Sequence, residues 1–172
     1  MSAGIEHWSC AWWRVVERPG IGARAYYSAE RHTPETVHIV ALTPADEIVF
    51  LHQFRVPFDA RIWELPAGLA DVPGETLADV AARELFEETG YAGRAPEELF
   101  VGTVSPGLSN EMYTLFRVDD ARRIEERAGD AHEDIRVQLV PRREAKAWLL
   151  ERSRAGELVD SKIGTALWLV DA

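Results

Sequence analysis

The sequence predicts a single α/β domain in which helices cover both faces of a mixed β-sheet. Two observations lead to this prediction. Short apolar, β-branched segments recur between Pro, Gly and Asp turns, and a few other segments show helical spacing of Ala, Leu and Trp. The chain has 172 residues, the length of one domain with a substantial core. We therefore expect one domain over residues 1–172.

Seven segments have the composition of β-strands, namely 11–17, 23–28, 36–42, 47–54, 99–104, 112–118 and 135–140. The first two flank the Pro19-Gly20 turn and form a short N-terminal β arm over residues 1–33, ahead of a core over residues 34–172. A Pro-Ala-Asp turn joins the third and fourth segments, which predicts a hairpin. A Ser-Pro-Gly turn separates the next two, which form another strand pair.

Three segments are predicted to be helices. The first begins after Thr76, an N-cap with Asp79 in the capping-box position, and it ends at Gly90, where a glycine commonly stops a helix. The Ala and Leu residues between these caps favour helix formation. Segments 143–153 and 160–170 carry Ala, Trp and Leu at helical spacing and supply the other two helices.

The first helix carries three carboxylates, Glu84, Glu87 and Glu88, within about one turn, where like charges repel each other. At about 100° per residue they continue the apolar stripe of Leu77 and Val80, so we expect them to face inward. A solvated acidic face is the alternative for any isolated Glu-Glu pair. A divalent cation among the oxygens would relieve the repulsion, and such sites suit magnesium or manganese, which usually reach substrates through phosphate.

The spacing around these carboxylates resembles the Nudix box, the signature of hydrolases that cleave a nucleoside diphosphate linked to another moiety. The matching residues are Glu75, Arg83, Glu84, Leu85, Glu87, Glu88 and Gly90. Two positions depart from the pattern. Gly68 precedes Glu75 by one residue more than usual, and Tyr91 stands where an aliphatic residue is commoner. The resemblance implies the Nudix fold, an α/β/α sandwich, from about residue 34 onward.

Three further segments are similar to those of ADP-ribose pyrophosphatases and related nucleoside-diphosphate-sugar hydrolases. They are Trp-Glu-Leu-Pro-Ala-Gly at 63–68, Ser-Pro-Gly-Leu-Ser-Asn-Glu at 105–111 and Glu-Asp-Ile-Arg-Val at 133–137. This resemblance implies hydrolysis of ADP-ribose to AMP and ribose 5-phosphate. Two alternatives stay open: hydrolysis of another nucleotide sugar, such as GDP-mannose or UDP-glucose, and a domain that binds a nucleotide without cleaving it. Domains of the latter kind usually lose box glutamates, which this chain keeps.

The resemblance also implies roles for the residues of the site. The ligands of Mg²⁺ or Mn²⁺ would be the backbone carbonyl of Ala67 and the carboxylates of Glu84, Glu87 and Glu88. Glu133 would act as the base on the catalytic water, and Asp134 is the alternative one residue away. Glu75 and Arg83 would fix the helix and its loop, because Arg83 can pair with Glu75 or with Glu87.

Four residues are candidates for substrate binding, three by the same resemblance and Trp12 as one of three N-terminal tryptophans, with Trp8 and Trp13, whose flat rings could stack on a nucleobase. Arg55 would contact a phosphate or the terminal sugar, since a guanidinium binds phosphate oxygens in a bidentate manner. Glu64 and Glu111 would accept hydrogen bonds from sugar hydroxyls. Trp12 would stack on the base, although packing in the core or in a homodimer is the alternative role. A homodimer that uses the aromatic residues near positions 8–13 is expected.

The composition is that of a soluble enzyme. A net charge of −10 argues against nucleic acid or an anionic membrane as the main partner. The single cysteine, Cys10, cannot form an internal disulfide, so a cytoplasmic location is expected. No signal-peptide pattern and no apolar run of about 20 residues is present, so we expect no membrane span.

Overall fold

The computed structural model describes residues 4–20, 22, 24–126 and 134–171. The strands are β1 (Ile5–Ser9), β2 (Trp13–Pro19), β3 (Ala25–Arg31), β4 (Glu35–Ala41), β5 (Glu47–Arg55), β6 (Ala60–Glu64), β7 (Ala67–Leu69), β8 (Tyr91–Ala92), β9 (Glu97–Thr103), β10 (Met112–Val118), β11 (Arg122–Arg123), β12 (Ile135–Pro141) and β13 (Leu158–Val159). The helices are α1 (Leu77–Thr89), α2 (Arg142–Arg154) and α3 (Lys162–Val170), and a short 3₁₀ turn spans Val56–Phe58.

Two four-stranded sheets form the centre of the fold. One has the order β7-β4-β10-β9 and the other the order β12-β5-β6-β13. The β4–β10 and β6–β13 pairs are parallel and the remaining pairs in these sheets are antiparallel, so both sheets are mixed. The predicted α/β class and the strand pair β9–β10 are confirmed.

The hairpin predicted from segments 36–42 and 47–54 is wrong, because β4 and β5 belong to different sheets. Both edges of β4 are occupied, by β7 and β10, and both edges of β5 are occupied, by β6 and β12. An isolated bridge between Leu42 and Ile48 joins them at the turn, together with a hydrogen bond from the amide of Thr43 to the carbonyl of Glu47 at 2.9 Å. The local turn signal identified the chain reversal correctly, but pairing partners from distant parts of the sequence determined the sheets.

The core has two halves, one on each side of β4, because successive side chains of a strand point to opposite faces. Val37 and Ile39 pack with α1 residues such as Val80 and Leu85. Val40 packs on the other side in the cluster that contains residues of α2 and α3. Helices therefore cover both faces. None of the three helices within the described residues has the length and apolar character of a membrane span.

The N-terminal arm is a separate three-stranded antiparallel sheet, β1-β2-β3. Strands β2 and β3 correspond to the predicted segments 11–17 and 23–28, whereas β1 was not predicted because its short, polar sequence Ile-Glu-His-Trp-Ser carries little strand signal. The arm contacts the core at the 105–111 loop, where the amide of Ala29 donates to the carbonyl of Leu108 at 2.9 Å. Tyr26 donates its hydroxyl to the carbonyl of Gly107 at 2.5 Å.

Candidate active site

Helix α1 begins and ends where the sequence predicted. The Thr76 hydroxyl accepts from the amide of Asp79 at 3.2 Å, and the Asp79 carboxylate accepts from the amide of Thr76 at 3.1 Å, which together form a capping box. Gly90 follows the helix with φ of 73°, a left-handed conformation that favours glycine. These caps fix which residues lie on the face of α1 that meets β7.

Arg83 connects the acidic residues of the box. Its guanidinium donates to Glu75 at 3.2 Å, to Glu84 at 2.8 Å and to Glu87 at 3.0 Å. Burial alone would lower the pKa of Arg83, but the charge of Glu84 and the hydrogen bonds to Glu87 and Glu75 outweigh burial and raise that pKa. Arg83 therefore has more partners than predicted, since it contacts Glu75, Glu84 and Glu87 together. Its charge relieves part of the repulsion among these carboxylates, which we expected a cation alone to relieve.

The carboxylates of Glu84 and Glu88 meet the strand β7. The Glu88 carboxylate accepts from the amide of Ala67 at 2.8 Å, and Glu88 is only 4% exposed. A Cβ placed on Gly68 would collide with the carboxyl group of Glu84. Gly68 is therefore the residue that leaves room for the Glu84 side chain, and the Ala67-Gly68 strand and α1 together hold these two carboxylates.

Glu87 differs from the other two carboxylates. Its side chain is 49% exposed, against 15% for Glu84, because it extends along the outer surface of α1 towards Arg83. The expectation that all three acids face inward is therefore wrong for Glu87. Among the described residues no three acidic, His or Cys side chains are already gathered as a metal cluster. The donor set nevertheless fits Mg²⁺ or Mn²⁺ chemically, because it consists of carboxylate oxygens carried on about one helical turn.

A cavity of about 680 Å³ opens beside these carboxylates. It contains four basic and five acidic side chains, so its wall is not cationic overall. Its charged lining residues are Arg31, Arg55, Arg83, Lys162, Glu64, Asp71, Glu84, Glu111 and Asp160. Ala67 and Gly68 also line it, which places the candidate metal ligand Ala67 and the Glu84 carboxylate at the same opening.

Three of the predicted substrate residues line this cavity as ion pairs. Arg55 donates to both oxygens of Glu64, with the shortest distance at 2.6 Å, and Glu64 is buried. Glu111 lies 3.4 Å from Arg31, a residue that the sequence prediction did not include. Arg31 is held by the core as well, since its amide donates to Asn110 at 2.8 Å. A ligand in the cavity would thus meet two guanidinium–carboxylate pairs.

Trp12 does not line the main cavity. It is 60% exposed and lies with Arg31 and His32 around a small depression next to Leu69. Trp13 instead packs against the Arg31 guanidinium, whose carbon lies 4.5 Å from the centre of the ring. Trp13 thus contacts a residue of the cavity wall.

The predicted base, Glu133, lies outside the described residues. Its alternative, Asp134, is described and pairs with Arg61. The hydrogen bond from Arg61 holds the pKa of Asp134 below its ordinary value. Arg61 also donates to the carbonyl of Asp134 at 3.1 Å and to that of His52 at 2.8 Å. A carboxylate in this arrangement is a weaker base than an unpaired one, which disfavours Asp134 for that role.

The sequence prediction missed other polar residues of the cavity, among them His38, Asp160 and Lys162. The register of β4 against β7 places His38 opposite Ala67. Burial, reinforced by the charge of Lys162, lowers the pKa of His38 to about 3. In the sequence, His38 is one residue of an apolar strand and Lys162 is one residue of an amphipathic helix. The only local signal for a site was therefore the charged group at the start of segment 160–170.

Comparisons with known proteins find relatives in sequence and in fold. Residues 32–159 match the family model described as "NUDIX domain". The chain is 32% identical over 134 residues to an ADP-ribose pyrophosphatase of Bacillus subtilis, which covers 78% of this chain and 70% of that protein. It is 37% identical over 124 residues to a GDP-mannose pyrophosphatase of Cronobacter sakazakii, which covers 67% of this chain and 61% of that protein.

A solved structure is similar over nearly the whole chain. It is described as an "ADP compounds hydrolase", and it matches with a TM-score of 0.76 and 20% identity over 98% of this chain and 90% of its own. At that identity the likeness concerns the fold. The chain spans 32% to 70% of the lengths of several curated relatives that it matches.

Proposed function

Because this chain belongs to the Nudix family, we propose that it is a metal-dependent pyrophosphohydrolase that cleaves ADP-ribose to AMP and ribose 5-phosphate. One observation carries the proposal. Glu84 of the box helix lies against Gly68 at the wall of a cavity that arginine–carboxylate pairs also line, and Glu88 binds the adjacent Ala67 amide. This combination provides oxygen ligands for a cation and guanidinium donors for phosphate within one cavity.

Glu84, Glu87 and Glu88, with the carbonyl of Ala67, are the proposed ligands of Mg²⁺ or Mn²⁺. When bound, the cation supplies positive charge beside the diphosphate oxygens, whose negative charge otherwise repels a nucleophile. Arg83 orients the side chains of Glu84 and Glu87 and ties α1 to Glu75 in the preceding loop. Replacement of either carboxylate would therefore also disturb the position of the other.

Glu133 is the proposed base that takes the proton from the attacking water. Asp134 is less suited to that role because its carboxylate is already paired with Arg61. Arg55 is proposed to bind a phosphate or the terminal sugar, and Glu64 limits the rotation of its guanidinium. Glu111, paired with Arg31, is proposed to accept a hydrogen bond from a sugar hydroxyl.

A homodimer is proposed through the N-terminal sheet. Its exposed large side chains include Trp8 at 55% and Trp12 at 60%, together with Ile5, Tyr26 and Tyr27. Such a grouping of aromatic residues on one small sheet is typical of an interface. Trp12 is proposed to stack on a nucleobase, with packing across the dimer as the alternative. Light scattering after size-exclusion chromatography measures the mass, and a monomer at micromolar concentration would contradict the dimer.

A cytoplasmic location is also proposed, because the one cysteine, Cys10, is exposed and unpaired, which fits a reducing compartment. Nucleic acid is not a proposed partner, since the net charge is −10.

The activity is tested with a panel of ADP-ribose, GDP-mannose, UDP-glucose, NADH and dinucleoside polyphosphates, each with Mg²⁺ or Mn²⁺. Phosphate released after phosphatase coupling is measured, and product identity is determined by chromatography. We expect the highest kcat/KM for ADP-ribose. A preference for GDP-mannose would favour the second candidate, which the similarity to a GDP-mannose pyrophosphatase supports. Binding of nucleotide without hydrolysis of any member would favour a non-catalytic domain.

A further inference from the structure

Lys162 is the first residue of α3 and lines the same cavity as Glu84, a proposed metal ligand. Its position results from the pairing of β13 with β6, which sets Val159 opposite Trp63. The amide of Asp160 then donates to the carbonyl of Trp63 at 2.9 Å. The chain segment that begins α3 is thereby fixed directly beside Glu64, although almost 100 residues separate them in the sequence.

The ammonium group of Lys162 is held in place by Asp160. Nζ lies 2.7 Å from one carboxylate oxygen of Asp160, whose other oxygen accepts from the amide of Lys162 at 2.8 Å. The two side chains are only 16% and 17% exposed. A lysine side chain loses much conformational freedom when it is ordered, so the Asp160 contacts make a defined position for Nζ at the cavity wall.

An ammonium group has three N–H donors, and one contact to Asp160 does not use them all. Among the described residues, Asp160 is the one carboxylate recorded within ion-pair distance of Nζ. Arg55 and His38 line the same cavity as Lys162, and the charge of Lys162 contributes to the lowered pKa of the His38 ring. His38 lies opposite Ala67 in the sheet, so this group adjoins the strand that also binds Glu88.

We propose that Lys162, at the start of α3, is a substrate-binding residue that donates to a phosphate oxygen of the substrate. A neutral side chain at position 162 could not make this contact. The cavity wall has more acidic than basic side chains, so a phosphate there needs a cation nearby. The inference rests on the proposed hydrolysis of a nucleoside diphosphate sugar. It adds a phosphate contact to a cavity in which the Nudix box and Arg55 were the groups expected to bind the phosphates.

The chain offers a matched control, because it has only two lysines, Lys146 and Lys162. Lys146 also pairs with an aspartate, Asp171 at 2.8 Å, but its side chain is 60% exposed and it does not line the cavity. The variants are Lys162→Met, Lys162→Arg and Lys146→Met. For Lys162→Met we expect KM for ADP-ribose to rise by about 10- to 100-fold with a smaller change in kcat. A rise of this size corresponds to the loss of one charge-assisted hydrogen bond.

Lys162→Arg should recover part of the lost affinity, because it keeps a cationic donor at the site, whereas Lys146→Met should match the wild type. Thermal melting of each variant separates a folding defect from a binding defect. A Lys162→Met protein that folds and has an unchanged KM, or a change in kcat alone, would overturn the proposal.

A second measurement does not depend on turnover. Lysine labelled with ¹³C at Cε gives two NMR signals, which Lys146→Met assigns. Titration with AMP and, separately, with ribose 5-phosphate should shift the Lys162 signal and leave Lys146 in place, and the product that shifts it identifies the half of the substrate that is bound. If neither product moves the Lys162 signal, the proposal is wrong. If the wild type does not hydrolyse ADP-ribose, the proposed activity fails while this titration still decides the role of Lys162.

Discussion

Gly68→Ala tests whether the position of Glu84 determines activity. A Cβ at residue 68 would lie closer than 3.0 Å to three atoms of Glu84, namely Cγ, Cδ and Oε1, whereas ordinary contacts begin at 3.4 Å. The Glu84 carboxylate must therefore move by about 1 Å or more, and a misplacement of that size can cost about 10²-fold in rate. We expect kcat on ADP-ribose to fall by about 10²-fold.

The same substitution should cost little stability. The displaced atoms are the end of a flexible side chain, for which a change of rotamer costs about 0.5–1.5 kcal/mol. Replacing glycine by alanine at ordinary strand angles returns about 0.4–1 kcal/mol through the unfolded state. The melting temperature should therefore stay near that of the wild type, while calorimetric titration with Mn²⁺ should show weaker binding.

Gly164→Ala is the matched control for Gly68→Ala. A Cβ at residue 164, inside α3, meets nothing within 4 Å. We expect unchanged kcat and a gain in stability of up to about 1 kcal/mol, because alanine favours helix over glycine. If Gly68→Ala keeps both the wild-type kcat and the wild-type affinity for Mn²⁺, the Glu84 carboxylate does not need the position that Gly68 allows, and its proposed role as a metal ligand is refuted.

Three further predictions concern other parts of the site. Glu133→Gln should lower kcat by about 10²–10⁴-fold with normal folding and Mn²⁺ binding, and kcat near the wild-type value would exclude Glu133 as the base. The His38 ring should stay neutral in NMR spectra from about pH 8 to about pH 5, since its pKa is lowered to about 3 from 6.5. Because the unfolded chain binds that proton near pH 6.5 and the folded chain does not, acidification below this pH should reduce stability less in His38→Gln than in the wild type. Trp12→Ala should raise KM for ADP-ribose if Trp12 stacks on the base, or reduce the mass in light scattering if it packs in the dimer; no change in either would exclude both roles.

Local signals predicted most elements of the core. Helix α1 follows directly from its sequence, because the capping box at Thr76 and Asp79 and the glycine at position 90 act within a few residues. The box spacing likewise identified the family without any knowledge of the sheet. The hairpin of 36–42 with 47–54 could not be judged in this way, since strand pairing depends on partners such as β10 and β12, which lie far along the chain.

The sequence by itself determined the element types, the family and the carboxylates of one helical turn, because helix geometry relates residues three and four positions apart wherever the helix lies. Only the tertiary structure decided what meets those carboxylates. It brought Ala67 against Glu88, and it placed Glu84, the Arg55–Glu64 pair and the Asp160–Lys162 pair at one cavity. The physical reason is that the strand order of a mixed sheet depends on the burial of both its apolar faces. No local sequence pattern encodes that order, and the order determines which distant side chains share a cavity.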